Sequence, residues 1–134
     1  MSIQANEWLR EMQLQYLSRA DEKLAELSCA LDFFVSTPDD DSQRRLRRLL
    51  HNLVGSGGSF GFPAISKAAK AMAEVLRRMR ETNRSLDART VKDLQAGLGR
   101  LRRAFEQAAV GAETEMRKMR MNTTECEPQE ALPS

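Results

Sequence analysis

The sequence predicts an all-α fold, an antiparallel up-and-down four-helix bundle with a disordered C-terminal tail. Apolar residues recur every three or four positions, which is the period of an amphipathic helix, and no segment alternates as a strand does. Only 7 glycines and 4 prolines interrupt the 134 residues. Short connections between amphipathic helices favour antiparallel neighbours. We expect the bundle in residues 1–118 and the tail in residues 119–134.

The first predicted helix covers residues 6–35, a stretch without proline or glycine. It ends in the sequence STPDDDS, because Pro38 disfavours helical backbone at Thr37. Its apolar positions form one stripe that faces the core. The stripe comprises Leu17, Ala20, Leu24, Leu27, Leu31 and Phe34, and is extended towards the N-terminus by Leu9, Met12 and Tyr16.

The second predicted helix begins near Ser42, with Asp41 or Ser42 as its cap. It ends near Ser56 or slightly beyond, in the sequence GSGGSFG. Glycine weakens the helix there, because it costs about 1 kcal/mol relative to alanine in a helix interior. The apolar stripe of this helix consists of Leu46, Leu49, Leu50 and Leu53.

Two more helices follow. Pro63 suits the first turn of the third helix, and the polar sequence ETNRS closes it. Ser85 or Asp87 caps the fourth helix, whose pattern stops near Lys118, and the polar sequence NTTECEPQEALPS is typical of disorder. The inward positions are Ile65, Ala68, Ala69, Met72, Leu76 and Met79 in the third helix, and Val91, Leu94, Leu98, Leu101, Phe105 and Ala108 in the fourth.

Composition limits the function classes. The net charge is only +2, which does not favour nucleic acid, although basic clusters at 44–48, 77–80 and 100–103 keep that partner as an alternative. No apolar run is long enough for a membrane span, and the N-terminus lacks the apolar stretch of a signal peptide. Cys29 and Cys126 have neither a disulfide pattern nor metal-ligand spacing. We expect a reduced, cytoplasmic setting without membrane or nucleic-acid contact.

The glycine-rich sequence GSGGSFG resembles two nucleotide-binding motifs only superficially. A P-loop is excluded because no GK[ST] follows the glycines and no strand precedes them. A dinucleotide fingerprint fails for the same reason and by its glycine spacing.

His51 is the only histidine in the chain, and it points away from the core. At about 100° per residue, its direction lies about 150° from the centre of the leucine stripe. Arg44 lies on the same face, two turns earlier. The neighbours three and four residues from the histidine are Arg47, Arg48, Val54 and Gly55.

The surroundings of the histidine favour an imidazole that carries a phosphoryl group. A glycine inside a helix needs a packing or access reason, and Gly55 and Gly58 leave room beside the ring for a large partner. Arg44, Arg47 and Arg48 suit an anion attached to the ring. The alternative is that the glycines only end the helix and that the arginines form a solvated face.

The sequence HNLVGSGGSFGF, residues 51–62, resembles the signature of histidine-containing phosphotransfer (HPt) domains, roughly H-x-[LI]-K-G-[SA]-[SAG]-x-x-[FLI]-G. The sequences YLSRADEKLAELSCAL and FPAISKAAKAMAE resemble the flanking helices, so the resemblance covers about residues 8–110. It implies a phosphorelay intermediate in two-component signalling. Such a domain takes a phosphoryl group from a receiver phospho-aspartate or a kinase and passes it to another receiver aspartate.

The resemblance also implies residue roles. His51 is the phosphorylated residue, and Gly55 leaves clearance for the receiver. Leu53 is a core position beneath the site, while Phe60 and Gly61 shape the turn into the next helix.

Two positions depart from the family pattern. Many members carry lysine three residues after the histidine and a polar residue twenty-two residues after it, where this sequence has Val54 and Ala73. We expect Arg47 or Arg48 to compensate for the lysine. The same departures favour an alternative function, that of a docking module that binds a receiver or kinase without being phosphorylated.

We expect a phosphocarrier and not an enzyme. An exposed imidazole keeps a neutral fraction near pH 7, so its free lone pair needs no activating base. The chain offers no clustered carboxylates for a metal site, so we expect no cofactor in it and Mg²⁺ on the partner receiver. Leu50, Val54 and Phe62 are expected to form a docking patch, with basic residues attracting an acidic receiver. We expect the chain to be a monomer.

Overall fold

The computed structural model of the protein describes the backbone of residues 2–131 and the side chains of residues 7–115, 117 and 118. Within this part of the chain there is no strand, and no helix is apolar enough over sufficient length to cross a membrane. The predicted all-α fold is confirmed. The helices are α1 (Ser2–Ser18), α2 (Ala20–Ser36), α3 (Asp40–Ser59), α4 (Pro63–Glu81) and α5 (Ala88–Ala131).

Helices α2 to α5 form a closed bundle. Helix α3 packs against α2 and α4, while α5 packs against α4 and α2. Helix α1 lies outside this ring and packs mainly on α5. The predicted stripes meet in the core, because burying leucine and methionine side chains is the main gain available to amphipathic helices. The largest fully buried side chains are Leu27, Leu31, Leu46, Leu50, Ile65, Met72, Leu76, Leu94 and Leu101.

The prediction of one continuous helix over residues 6–35 is wrong, because Arg19 separates α1 from α2. The Arg19 N–H donates to the Tyr16 carbonyl at 3.3 Å, three residues back, which tightens the chain into a turn. The turn brings Tyr16 into the core, while Met12 is half-buried and Leu9 is exposed. The break contains no glycine or proline. We attribute it instead to packing between helices. The rings stacked on Tyr16 are Phe60, Phe62 and Phe105.

The cap of α3 is Asp39, and the predicted caps at Asp41 and Ser42 are wrong. The Asp39 carboxylate accepts the Ser42 N–H at 2.8 Å, and the Ser42 hydroxyl oxygen accepts the Asp39 N–H at 3.1 Å. This reciprocal capping box selects one of three consecutive aspartates. At the start of α5, the predicted cap Asp87 is confirmed, since its carboxylate accepts the Thr90 N–H at 2.7 Å.

Helix α5 continues to Ala131, beyond the end of the apolar pattern near Lys118. The side chains of residues 119–131 and all of residues 132–134 lie outside the described residues. The predicted disordered tail therefore stays a prediction.

Candidate functional site

Helix α3 continues through most of the glycine-rich sequence and ends at Ser59. The Phe62 N–H donates to the Gly57 carbonyl at 2.7 Å, and the Gly61 N–H donates to the Gly58 carbonyl at 3.2 Å. Gly61 has a φ of 81°, in the left-handed region that favours glycine at a helix end. These bonds form a C-terminal cap, and Gly61 lies in the turn as the sequence predicts.

Gly57 is buried where α3 packs tightly against the first turn of α4. A Cβ atom on it would lie 2.9 Å from the Ser66 backbone nitrogen and 3.2 Å from Ile65 Cγ2. Beside this contact, the Ser66 hydroxyl donates to the Val54 carbonyl at 2.8 Å. The sequence GSGGSFG does not show which glycine is needed for helix packing and which leaves space for a partner, so the packing role of Gly57 could not be predicted.

Gly57→Ala is expected to lower the free energy of unfolding by about 1–3 kcal/mol, because the new methyl group overpacks the contact with α4 backbone. Gly55→Ala is the matched control on the same helix, since a Cβ there meets nothing within 4 Å. The control is expected to raise stability by up to about 1 kcal/mol. Urea denaturation followed by circular dichroism measures both. Equal effects of the two substitutions would contradict this assignment.

Side chains of helix α1 form hydrogen bonds with the end of α3. The Gln13 side chain donates to the Phe60 carbonyl at 2.7 Å, and the Tyr16 hydroxyl lies 2.9 Å from Ser56 Oγ in a hydrogen bond. Burial raises the pKa of Tyr16, so its hydroxyl stays protonated. Two hydrogen bonds from α1 side chains therefore hold the glycine-rich end of α3.

His51 is exposed on the outer face of α3, as predicted, and lines an open groove between α3 and α4. The three arginines that the sequence places near His51 line the same groove. Helix α4 adds three more cations, which the sequence alone did not link to the histidine. We call it the His51 groove. Its lining residues are Arg44, Arg47, Arg48, His51, Val54, Lys70, Ala73, Arg77 and Arg80.

The cations of the His51 groove differ in their ion pairing. Arg77 is paired with Glu74 and Glu81 on its own helix, and Glu74 raises the pKa of Arg77. Arg44 lies 4.0 Å from Asp41. The cations without a described carboxylate at ion-pair distance are Arg47, Arg48, Lys70 and Arg80.

Arg47 is the least exposed of the α3 arginines in the His51 groove. Its Nε is buried and has no hydrogen-bond partner among the described residues. Burial lowers the pKa of Arg47, and the neighbouring cations Arg80 and Arg44 lower it further. The guanidinium remains charged, so Arg47 brings positive charge and one unpartnered donor to a groove that holds other cations.

Neither predicted clearance glycine is needed for packing. Gly55 is exposed and a Cβ on it would meet nothing, while a Cβ on Gly58 would lie 3.9 Å from Ser66 Oγ. At these two positions, after His51 on the same helix, the surface is therefore bare backbone. Clearance for a partner remains the predicted role of both residues.

The predicted docking patch does not form as one surface. Leu50 is fully buried, so its assignment to the patch is wrong: it belongs to the leucine stripe that faces the core. Val54 is half-buried and lines the His51 groove. Phe62 is half-buried under Tyr16 and lines a separate groove between α1 and α5.

Among the residues whose side chains are described, no three His, Cys, Asp or Glu come together as a candidate metal site. The His51 groove places one exposed imidazole among cations, with bare backbone at Gly55 and Gly58.

A family model for the Hpt domain matches residues 11–104 of the chain. The match includes α2, α3, α4 and α5 up to Ala104. No curated protein sequence matches the chain. The matched range covers well over half of the 134 residues and contains the whole His51 groove. The chain belongs to the Hpt domain family, which carries out histidine phosphotransfer in two-component signalling.

Proposed function

We propose that the protein is a phosphorelay intermediate whose His51 accepts a phosphoryl group from a receiver phospho-aspartate or a kinase and passes it to another receiver aspartate. Hpt domains are phosphocarriers that work with receiver domains and kinases. The observation that carries the proposal is the position of His51. The only histidine of the chain is exposed, on a well-packed helix, in a groove of cations.

In the proposed acceptance step, the lone pair of the imidazole Nε2 forms an N–P bond while the P–O bond to the donor aspartate breaks. The aspartate carboxylate leaves with the electron pair of that bond, and the ring keeps its proton on Nδ1. Donation runs the same exchange in reverse with a second aspartate. Since the lone pair is already free on the neutral ring, His51 requires no base.

The chain contributes placement and charge to this transfer. Phosphoryl transfer depends mainly on in-line positioning and on stabilising the charge of the phosphoryl oxygens. The bare backbone at Gly55 and Gly58 admits the edge of a receiver, and the groove cations attract an acidic surface. Mg²⁺ and its carboxylate ligands are proposed to belong to the receiver.

One observation favours a second candidate, a docking module that is not phosphorylated. Val54 and Ala73 line the His51 groove, and neither side chain offers a hydrogen bond to a phosphoryl oxygen. In this candidate the groove binds an acidic receiver or kinase surface, and His51 takes no phosphoryl group.

Incubation with a panel of phosphorylated receiver domains separates the two candidates. The wild-type protein is expected to gain acid-labile label from at least one receiver, while His51→Gln gains none. The variant keeps its melting temperature, because the exposed side chain contributes little to stability. Label retained by His51→Gln would refute the proposal. Receiver binding without any label on the wild-type protein would establish the docking module.

A further inference from the structure

The His51 groove holds more positive charge than the described carboxylates neutralise. Six cations line it, and none of the described aspartates or glutamates does. Four of these cations lack an ion pair among the described side chains, as shown above. Like charges held at close range repel one another, and an anion between them relieves the repulsion. Electrostatics therefore favours an anion in the groove.

The register of α3 and α4 places Lys70 opposite His51. The hydrogen bond between Ser66 and the Val54 carbonyl joins the two antiparallel helices at one level. His51 lies three residues before Val54, and Lys70 lies four residues after Ser66. Each is about one turn from that bond in the same direction along the bundle, and both line the groove.

Arg47 lies one turn before His51 on α3. Residues four apart on a helix are neighbours on its surface, so Arg47 lies beside His51. Arg47 also faces the groove and has an unpartnered Nε. A guanidinium has paired donors in a fixed plane that match two oxygens of a phosphoryl group.

We propose that Arg47 and Lys70, one from each helix, form an anion site that holds the phosphoryl group on His51. This inference rests on the proposed function. Arg47 donates to two phosphoryl oxygens and Lys70 donates to the third from across the groove. Arg77 is unsuited to this role because Glu74 and Glu81 already occupy it. Both proposed residues are positioning residues, since the bond forms at the imidazole.

The test is titration of the unphosphorylated protein with inorganic phosphate at constant ionic strength. Because the chain has a single histidine, its ring NMR signals report binding without assignment. The wild-type protein is expected to show a saturable shift of these signals. Arg47→Gln and Lys70→Gln are each expected to weaken phosphate about tenfold, the loss of a charge-assisted hydrogen bond. Arg47→Lys is expected to restore part of the affinity, because it keeps the charge but not the planar fork.

Arg45→Gln is the matched control, since Arg45 is an exposed arginine of the same helix that does not line the groove. It is expected to change phosphate affinity by less than twofold. The site would be refuted by a linear, non-saturating shift in the wild-type protein, or by equal losses in Arg45→Gln and in both test variants. If Arg47→Gln does not fold, Lys70→Gln alone decides, because Lys70 is exposed.

The outcome is independent of receiver transfer. The predicted phosphate pattern without label from any receiver would support the anion site and overturn the carrier function. Label on His51 without the phosphate pattern would support the carrier function and overturn the anion site.

Discussion

Gly55→Phe is expected to slow phosphoryl transfer from a receiver to His51 by about 100-fold, because a displacement of about 1 Å between reacting groups costs that much. Gly55 is exposed one turn after His51, and a side chain there meets no neighbour that would fold it away. The phenyl ring therefore occupies the space through which the receiver approaches. Rapid-quench measurement with a labelled receiver gives the rate.

Two controls separate steric exclusion from a change of fold. Gly99→Phe introduces the same side chain on α5, where a Cβ also meets nothing within 4 Å, and its transfer rate is expected to stay within twofold of wild type. Phosphoramidate, a small chemical donor, is expected to phosphorylate Gly55→Phe at a near-normal rate. Normal transfer from the receiver to Gly55→Phe would contradict the clearance role.

Leu50→Ala is expected to lower the free energy of unfolding by about 2–5 kcal/mol, the range for truncating a fully buried leucine. Leu50 is adjacent to His51 in sequence, yet it has no accessible surface. The folded fraction should bind a receiver as the wild type does. Urea denaturation and receiver affinity below the melting transition measure the two effects.

Val54→Ala is the comparison for this test, because Val54 is half-buried and lines the His51 groove. It is expected to cost less stability than Leu50→Ala and to weaken the receiver contact. If Leu50→Ala keeps its stability but binds the receiver more weakly, Leu50 belongs to the docking surface and the core assignment is wrong.

Most of the bundle could be predicted because burial dictates its pattern. The stripes of α3, α4 and α5 are long and periodic, and all their predicted inward positions are buried or half-buried. The break at Arg19 could not be predicted, since nothing in its local sequence disfavours helix. It exists because Tyr16 is buried against aromatic rings from α5 and from the α3–α4 connection, which are distant in the sequence.

The candidate site likewise has features that the sequence predicts and features that it does not. The outward direction of His51 follows from helix geometry alone, and its exposure confirms it. The contribution of Lys70 depends on the register between α3 and α4, which a buried glycine and one serine hydrogen bond set. The error at Leu50 has a simple cause. A residue next to His51 in sequence points about 100° away on a helix, and that direction faces the core.

The most direct test of the central claim is to locate the phosphoryl group after transfer from a receiver. Tandem mass spectrometry of peptides, prepared under conditions that keep acid-labile phosphate bound, identifies the modified residue. We predict a single phosphohistidine at His51, in the only peptide that contains histidine. A phosphoryl group on an aspartate, a glutamate or Cys29, with His51 unmodified, would contradict the account.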